Sequence, residues 1–270
     1  MGISIGTLVG ILGGIGLLVY NIVAKAPSIG IFIDPGSLMM VVGGTLAASF
    51  IAFKETYVLQ ALKGILQIFK SVGIDKKSLV GDVEKIIEWG KIVEKGGIRE
   101  LEKQFDEKEL DNPIMKFSMD MVFAGEKSEL IYEETKNLIE QESFRRGVPV
   151  DILNKMAAYA PAFGMIGTLI GLVLMLAGMG GESAPGVDPA AQLGKSMAIA
   201  LITTLYGSVF ANFIFLPFAA KLEGISENKE VESALILEGV KLLYDKTHPI
   251  LMRDKLNAFL DSKDRILDEE

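Results

Sequence analysis

Four stretches of this chain contain no aspartate, glutamate, lysine or arginine: Met1 to Ala24, Pro35 to Phe53, Met156 to Gly181 and Ser196 to Ala220. A hydrocarbon core of ~30 Å takes about 20 apolar residues at helical rise. Each stretch is therefore long enough to cross a bilayer, the second only just. Four buried helices of a water-soluble protein are the alternative, but so many would leave too few amphipathic helices to wrap them. The first stretch lacks a basic start and an A-x-A-like cleavage site before Lys25, so it reads as a retained anchor. The whole-chain averages, 50% hydrophobic and 23% charged, conceal this segregation.

The charged remainder organises the rest. Lys25 to Asp34, with Pro27, Gly30 and Pro35, predicts a tight turn between spans one and two. Lys54 to Lys155 reads as Lys/Glu-rich amphipathic helices. Ile65, Ile68, Phe69 and Val72 form one apolar stripe, and Val83, Ile86, Ile87 with Val93 or Gly90 form another. Asn112 before Pro113 predicts a capped helix start, Ser128 the cap of the next helix, and Ile131, Leu138 and Ile139 its apolar face. Gly96-Gly97 and Gly147 with Pro149 read as breaks. A linker rich in Gly, Ala and Pro joins spans three and four from Gly180 to Lys195, and a charged helical tail begins near Lys221.

The expected fold is thus an all-α integral membrane protein with four transmembrane helices. A helical cytoplasmic domain stands between spans 2 and 3, and a helical cytoplasmic tail closes the chain. The segments are 1–53, 54–155, 156–220 and 221–270. Orientation follows from basic residues near the span ends. Lys54, Lys63, Lys70, Arg145, Arg146, Lys155, Lys221 and Lys229 flank one side, whereas the short loops offer only Lys25 and Lys195. Both termini and the large domain are expected in the cytoplasm.

Composition narrows the function. With no cysteine, disulfides, thiol nucleophiles and Cys-ligated metals are excluded. The single histidine, His248, sits before Pro249 in the charged tail and reads as a solvated side chain. A net charge of -8 argues against a nucleic-acid partner. Gly194-Lys195-Ser196 looks like the end of a phosphate-binding loop, but the glycine that motif needs five positions earlier is Pro189. No cofactor or permanent metal is implied.

Within the spans, Gly6, Gly10 and Gly14 make two G-x-x-x-G steps, repeated by Gly167 and Gly171. Such spacing lets helix backbones approach closely in lipid, within one subunit or between subunits. Thr168 in span three and Thr203, Thr204 and Ser208 in span four supply hydroxyls. Threonine oxygens suit a hard cation such as sodium, although membrane Ser and Thr also bond back to the i−4 carbonyl. Pro161 and Pro217 each remove an N–H inside a span and free a carbonyl one turn earlier. An ion pathway usually needs an ionisable residue in the membrane, and all four spans lack one. If the chain conducts ions, another chain must contribute the carboxylate.

The sequence from Ala160 to Val173, APAFGMIGTLIGLV, closely resembles the third span of the flagellar motor stator A subunit, the MotA/PomA family. AIALITTLYG at Ala198 to Gly207 resembles its fourth span, and Gly30 to Asp34 through Val41 to Gly44 its first external loop and second span. The resemblance covers essentially the whole chain. It implies a torque-generating channel of the bacterial inner membrane, in which five A subunits ring two copies of a B subunit. The B subunit would supply an ion-binding aspartate and grip peptidoglycan, and the A ring would push a rotor switch protein.

By the same resemblance, Pro161 and Pro217 match the family's functional prolines. Thr168, Thr203 and Thr204 match hydroxyls typical of the sodium-driven branch, with sodium passing near Thr203. Asp34 matches an acidic residue of the ion-entry loop, and Lys95 and Glu102 match rotor contacts. Glu94 and Lys103 depart from the family's charges there. A three-span energy-transducing channel of the ExbB/TolQ type is the runner-up, a passive scaffold the third reading, and an enzyme the least supported.

Overall fold

The structure, a computed structural model, describes residues 5–26, 28–68, 76–105, 110, 112–179 and 189–267. Among these the chain is helical and contains no strand. The helices are α1 (Ile5–Lys25), α2 (Pro35–Ala52), α3 (Glu55–Ile68), α4 (Lys76–Gly96) and α5 (Ile98–Gln104), then α6 (Pro113–Phe123) and α7 (Ser128–Met179). After them come α8 (Pro189–Val209), a π-helical segment (Phe210–Phe215), α9 (Leu216–Tyr244) and α10 (Pro249–Leu256). Among the described residues, four helical stretches are long and apolar enough to cross a membrane: Leu8–Lys25, Ile29–Ala52, and parts of Ser128–Met179 and Ala190–Tyr244. Each overlaps one of the four charge-free runs.

The chain divides into two compact units, Met1–Ser71 with Val148–Glu223 and Val72–Gly147 with Gly224–Glu270. The first holds all the charge-free runs and is called here the span unit; the second is the charged unit. Helix starts follow their local chemistry. Asp34 caps α2 by accepting from Ser37 N–H at 2.7 Å, with Pro35 pre-set for the first turn. Asn112 Oδ1 accepts from Ile114 N–H (2.9 Å) and Met115 N–H (3.3 Å), and Pro113 follows. Ser128 is the first residue of α7 itself, one position inside the predicted cap.

Gly96-Gly97 ends α4 as expected, with Gly97 at φ 75. The expected break at Gly147 and Pro149 does not occur, and α7 runs unbroken through Pro149 and Pro161. A helix-interior proline costs about 3 kcal/mol. Beyond Pro149, Val150, Ile152, Leu153 and Met156 all bury their side chains. At about 1.5–3 kcal/mol each, that burial exceeds the penalty. The Gly194-Lys195-Ser196 segment lies within α8, so it forms no loop. Pro27, Phe69, Val72 and most of the linker after Gly180 lie outside the described residues.

The two units are stabilised differently. In the charged unit Val83, Ile86, Ile87 and Val93 of α4 are buried, as their spacing predicts, with Met115, Met119, Ile131, Leu243 and Met252. Leu138 and Ile139 pack against this core, and Trp89, Phe105 and Phe123 form an aromatic series with centroids 5.4 and 4.8 Å apart. In the span unit the core is smaller, centred on Val41, Ile152, Leu153, Met156, Ala160 and Phe218. Many of its large apolar side chains, among them Leu12, Ile51, Leu169 and Val173, point outward.

Candidate functional site

The most polar constellation of the span unit lies where α7 meets α8. Small residues bring the two backbones together. A Cβ added at Gly207 would fall 2.6 Å from the Ala160 carbonyl oxygen and 3.0 Å from Pro161 Cα, so no side chain fits there. Gly167 faces Thr203 and Gly171 faces Ala200 in the same way. The G-x-x-x-G step of α7 therefore packs within the subunit. In α1, a Cβ added at Gly14 would meet the Phe213 ring, whereas among the described residues nothing lies within 4 Å of one added at Gly6 or Gly10.

This approach seats the hydroxyls. Thr168 Oγ1 is hydrogen-bonded to Thr204 Oγ1 across the helix pair and lies 2.9 Å from Ala200 O and 3.2 Å from Gly164 O. Thr204 Oγ1 lies 3.3 Å from Gly164 O. Two hydroxyls and two carbonyls thus converge. Their two hydroxyl protons leave oxygen lone pairs over, the donor set a hard cation prefers. Both threonines are half-buried.

Thr203 is placed apart from this pair. It is 1% exposed; its Oγ1 donates to Ser37 Oγ of α2 at 2.8 Å and lies 2.7 Å from Ile199 O. Ser37 is itself buried, and its N–H donates to the Asp34 carboxylate. Tyr206 completes a second tie: its hydroxyl donates to Phe32 O and accepts Asp34 N–H at 3.1 Å. The loop ahead of α2 is thereby latched to α8. Ser37 was not foreseen from the sequence, although a hydroxyl three residues after a capping aspartate is a legible signal.

The prolines occupy different settings. Pro161 lies inside α7 against Gly207. Pro217 is exposed and stands two residues past the π segment, where Leu216 N–H reaches back five residues to Ala211 O. Widening the turn is one way to absorb a residue that has no N–H.

In the charged unit Lys95, at the end of α4, and Glu102, on α5, are both exposed. Neighbouring Glu94 pairs with His248 Nε2 at 3.3 Å, while His248 Nδ1 accepts Ile250 N–H at 3.3 Å and caps α10. The tail histidine is exposed, as expected, but it also starts a helix. Deeper in this unit Glu232 is 3% exposed and accepts from Lys229 Nζ (2.6 Å) and Asn112 Nδ2 (2.7 Å). Asp82 buries its Oδ2 without a hydrogen-bond partner. Burial, then the Glu232 carboxylate, push its pKa up from 3.8 to about 6, against the pull of Lys85 and Lys229.

Residues 106–235 match the model of the MotA/TolQ/ExbB proton channel family. The chemotaxis protein PomA of Vibrio alginolyticus is 31% identical over 98% of both chains. Motility protein A of Borreliella burgdorferi is 32% identical over 93% of this chain and 92% of its own length. Among solved structures, C. jejuni MotAB aligns with TM-score 0.85 at 21% identity, covering 98% of this chain and all of that one. The flagellar MotAB stator complex from Bacillus subtilis aligns with TM-score 0.79 at 23% identity over 96% of both chains. At these identities the structural matches speak for the fold alone.

Proposed function

This chain belongs to the MotA/TolQ/ExbB proton channel family, and from that membership we propose that it is the A-type stator subunit of a bacterial flagellar motor. Its full-length relatives include motility protein A and PomA. It is a multi-pass membrane protein and a channel component, not an enzyme. With a B subunit it forms an ion channel that turns an ion gradient into torque on the rotor.

The observation that carries the channel reading is the Thr168–Thr204 hydroxyl pair beside the Gly164 and Ala200 carbonyls, in spans that hold no ionisable residue. Such a cluster can ligate a cation but cannot balance its charge. The carboxylate then comes from the B subunit's transmembrane helix, so the partner is obligate. Sodium is the coupling ion we favour. Thr168 and Thr204 would meet the ion directly, and Thr203 would hold the α2–α8 contact beside the path. Asp34, held by Ser37 and latched through Tyr206, would stand at the ion entrance. Pro161 and Pro217 would set the two helices' flexure.

The excess of Lys and Arg flanking the inner ends of the spans supports both termini in the cytoplasm of a cell's inner membrane. Residues 54–155 and 221–270 then form the cytoplasmic part, where exposed Lys95 and Glu102 would contact the rotor switch protein. A pentamer around two B subunits is the assembly this reading adopts.

The test is swimming speed against sodium concentration at fixed pH, in a strain whose only stator is this chain with its B subunit. Speed should rise with sodium. Thr168→Ala should shift the curve to higher sodium while the complex still assembles. A flat response that follows external pH instead would assign protons. Normal assembly with no motility at any ion concentration would defeat the stator reading itself.

A further inference from the structure

We propose that Lys195 is the built-in counter-ion of the ion entrance: a tethered ammonium that an incoming sodium ion displaces from Asp34, setting the sodium concentration at which the channel loads. This role rests on the channel reading above, in which Asp34 stands at the entrance.

The register of α2 against α8 places the lysine. Ser37 is the fixed point. Its Oγ accepts from Thr203 Oγ1 at 2.8 Å and lies 3.5 Å from the carbonyl of Ile199, one turn before Thr203. Lys195 stands a further turn before Ile199, so Lys195, Ile199 and Thr203 follow at steps of four on one face of α8. At helical rise the lysine Cα is about 12 Å ahead of Thr203. Asp34 is three residues ahead of Ser37, and its N–H is held by the Tyr206 hydroxyl at 3.1 Å. α2 and α8 are separated by one full pass of the chain, through α7, and so run the same way. Acid and base therefore both precede the Ser37–Thr203 contact, on the same side of it.

Their chemistry makes them partners. The capping bond from Ser37 N–H to Asp34 Oδ2, at 2.7 Å, orients the carboxylate. After the Ser37 bonds, the charge that acts on it is that of Lys195. Lys25, the other base ahead of these spans, lines a cavity with Ile31 and Phe32 instead. Lys195 is exposed. An exposed acid–base pair stabilises a fold little, so the weight of this lysine lies in the local field. Its ammonium is a compact charge on a flexible stem, able to yield the carboxylate to a small cation and return once the cation has moved on. With the ammonium in place the mouth is nearly neutral. Without it the mouth keeps an unbalanced negative charge, which concentrates cations.

Swimming speed against sodium at fixed pH and low ionic strength tests the role, in a strain whose only stator is this chain with its B subunit. Lys195→Gln should lower the half-maximal sodium concentration about two- to threefold, the weight of one unit charge at several ångströms in a water-like medium. Speed at saturating sodium should be retained, and Lys195→Arg should follow the wild-type curve. Choline chloride should shrink the difference, since the Debye length falls to about 8 Å at 0.15 M salt. In an Asp34→Asn background Lys195→Gln should shift nothing; should that background not swim, the choline series decides. If Lys195→Gln is missing from the membrane fraction, Lys195→Met is read in its place. An unmoved curve, a shift indifferent to choline, or an equal shift in Lys195→Arg overturns the role of Lys195 alone, provided the wild type responds to sodium. A wild-type curve flat in sodium overturns the sodium channel reading, and this role with it.

Discussion

The charged unit and the span unit hold together by opposite means. The charged unit buries Met115, Met119, Leu243, Met252 and the α4 stripe in an apolar interior, with charge outside. The span unit turns Leu12, Leu169 and Val173 outward and puts glycines, threonines and Ser37 between its helices. In water, removing apolar area from solvent drives packing. In lipid that drive is absent, and close backbone approach with interhelical hydrogen bonds replaces it. Volume therefore governs one unit from within, and the absence of volume governs the other.

The largest predicted effect follows from that contrast. Gly207→Leu places a side chain where the Ala160 and Pro161 backbone already stands. The α7–α8 contact should be lost and the complex should disappear from the membrane fraction on immunoblotting. Normal levels would mean that the two helices can separate without penalty, and the contrast between the units would fall. Next, Met119→Ala in the charged unit should cost about 2–5 kcal/mol, the usual range for an emptied core position. It should appear as an early thermal transition with the channel assembly intact.

Thr203→Val keeps the shape and removes a hydroxyl that bonds Ser37 across helices. Interhelical bonds in membranes average ~0.6 kcal/mol. The variant should therefore shift thermal aggregation in detergent far less than Gly207→Leu. A larger loss than Met119→Ala would make hydrogen bonding, not close approach, the main stabiliser of the span unit.

A pH-dependent effect concerns Asp82. Its pKa is raised on folding from 3.8 to about 6, so the native state keeps a proton that the unfolded chain releases. Its contribution is fully present below about pH 4, falls as pH rises through 6, and is an uncompensated penalty above that. Asp82→Asn should raise the melting temperature near neutral pH, with the gain shrinking toward pH 4. A pH-independent difference would remove the buried carboxylate from the account of this unit.

The spans and the α4 stripe were legible because periodicity and the absence of charge report burial directly. The Pro149 break was misread because a local punctuation signal competes with tertiary packing, and four buried side chains outweigh it. The hydroxyls were legible as a set, but not their division. Thr168 and Thr204 belong to one cluster and Thr203 to another, because which neighbouring helix a threonine meets depends on packing between distant segments. Ser37 was missed for the same reason: its partner is 166 residues away in the chain.

The π segment makes the fourth span two helices in phase rather than one. Each α-helical residue advances the wheel by about 100°, and the wide turn at Phe210–Phe215 holds a surplus residue. Pro217 and Lys221 are thereby turned from where a straight projection from Thr203 and Thr204 would put them. Deleting a single residue from this stretch would restore regular winding and swing the lysine roughly a quarter of the circumference, leaving the threonines above it where they are.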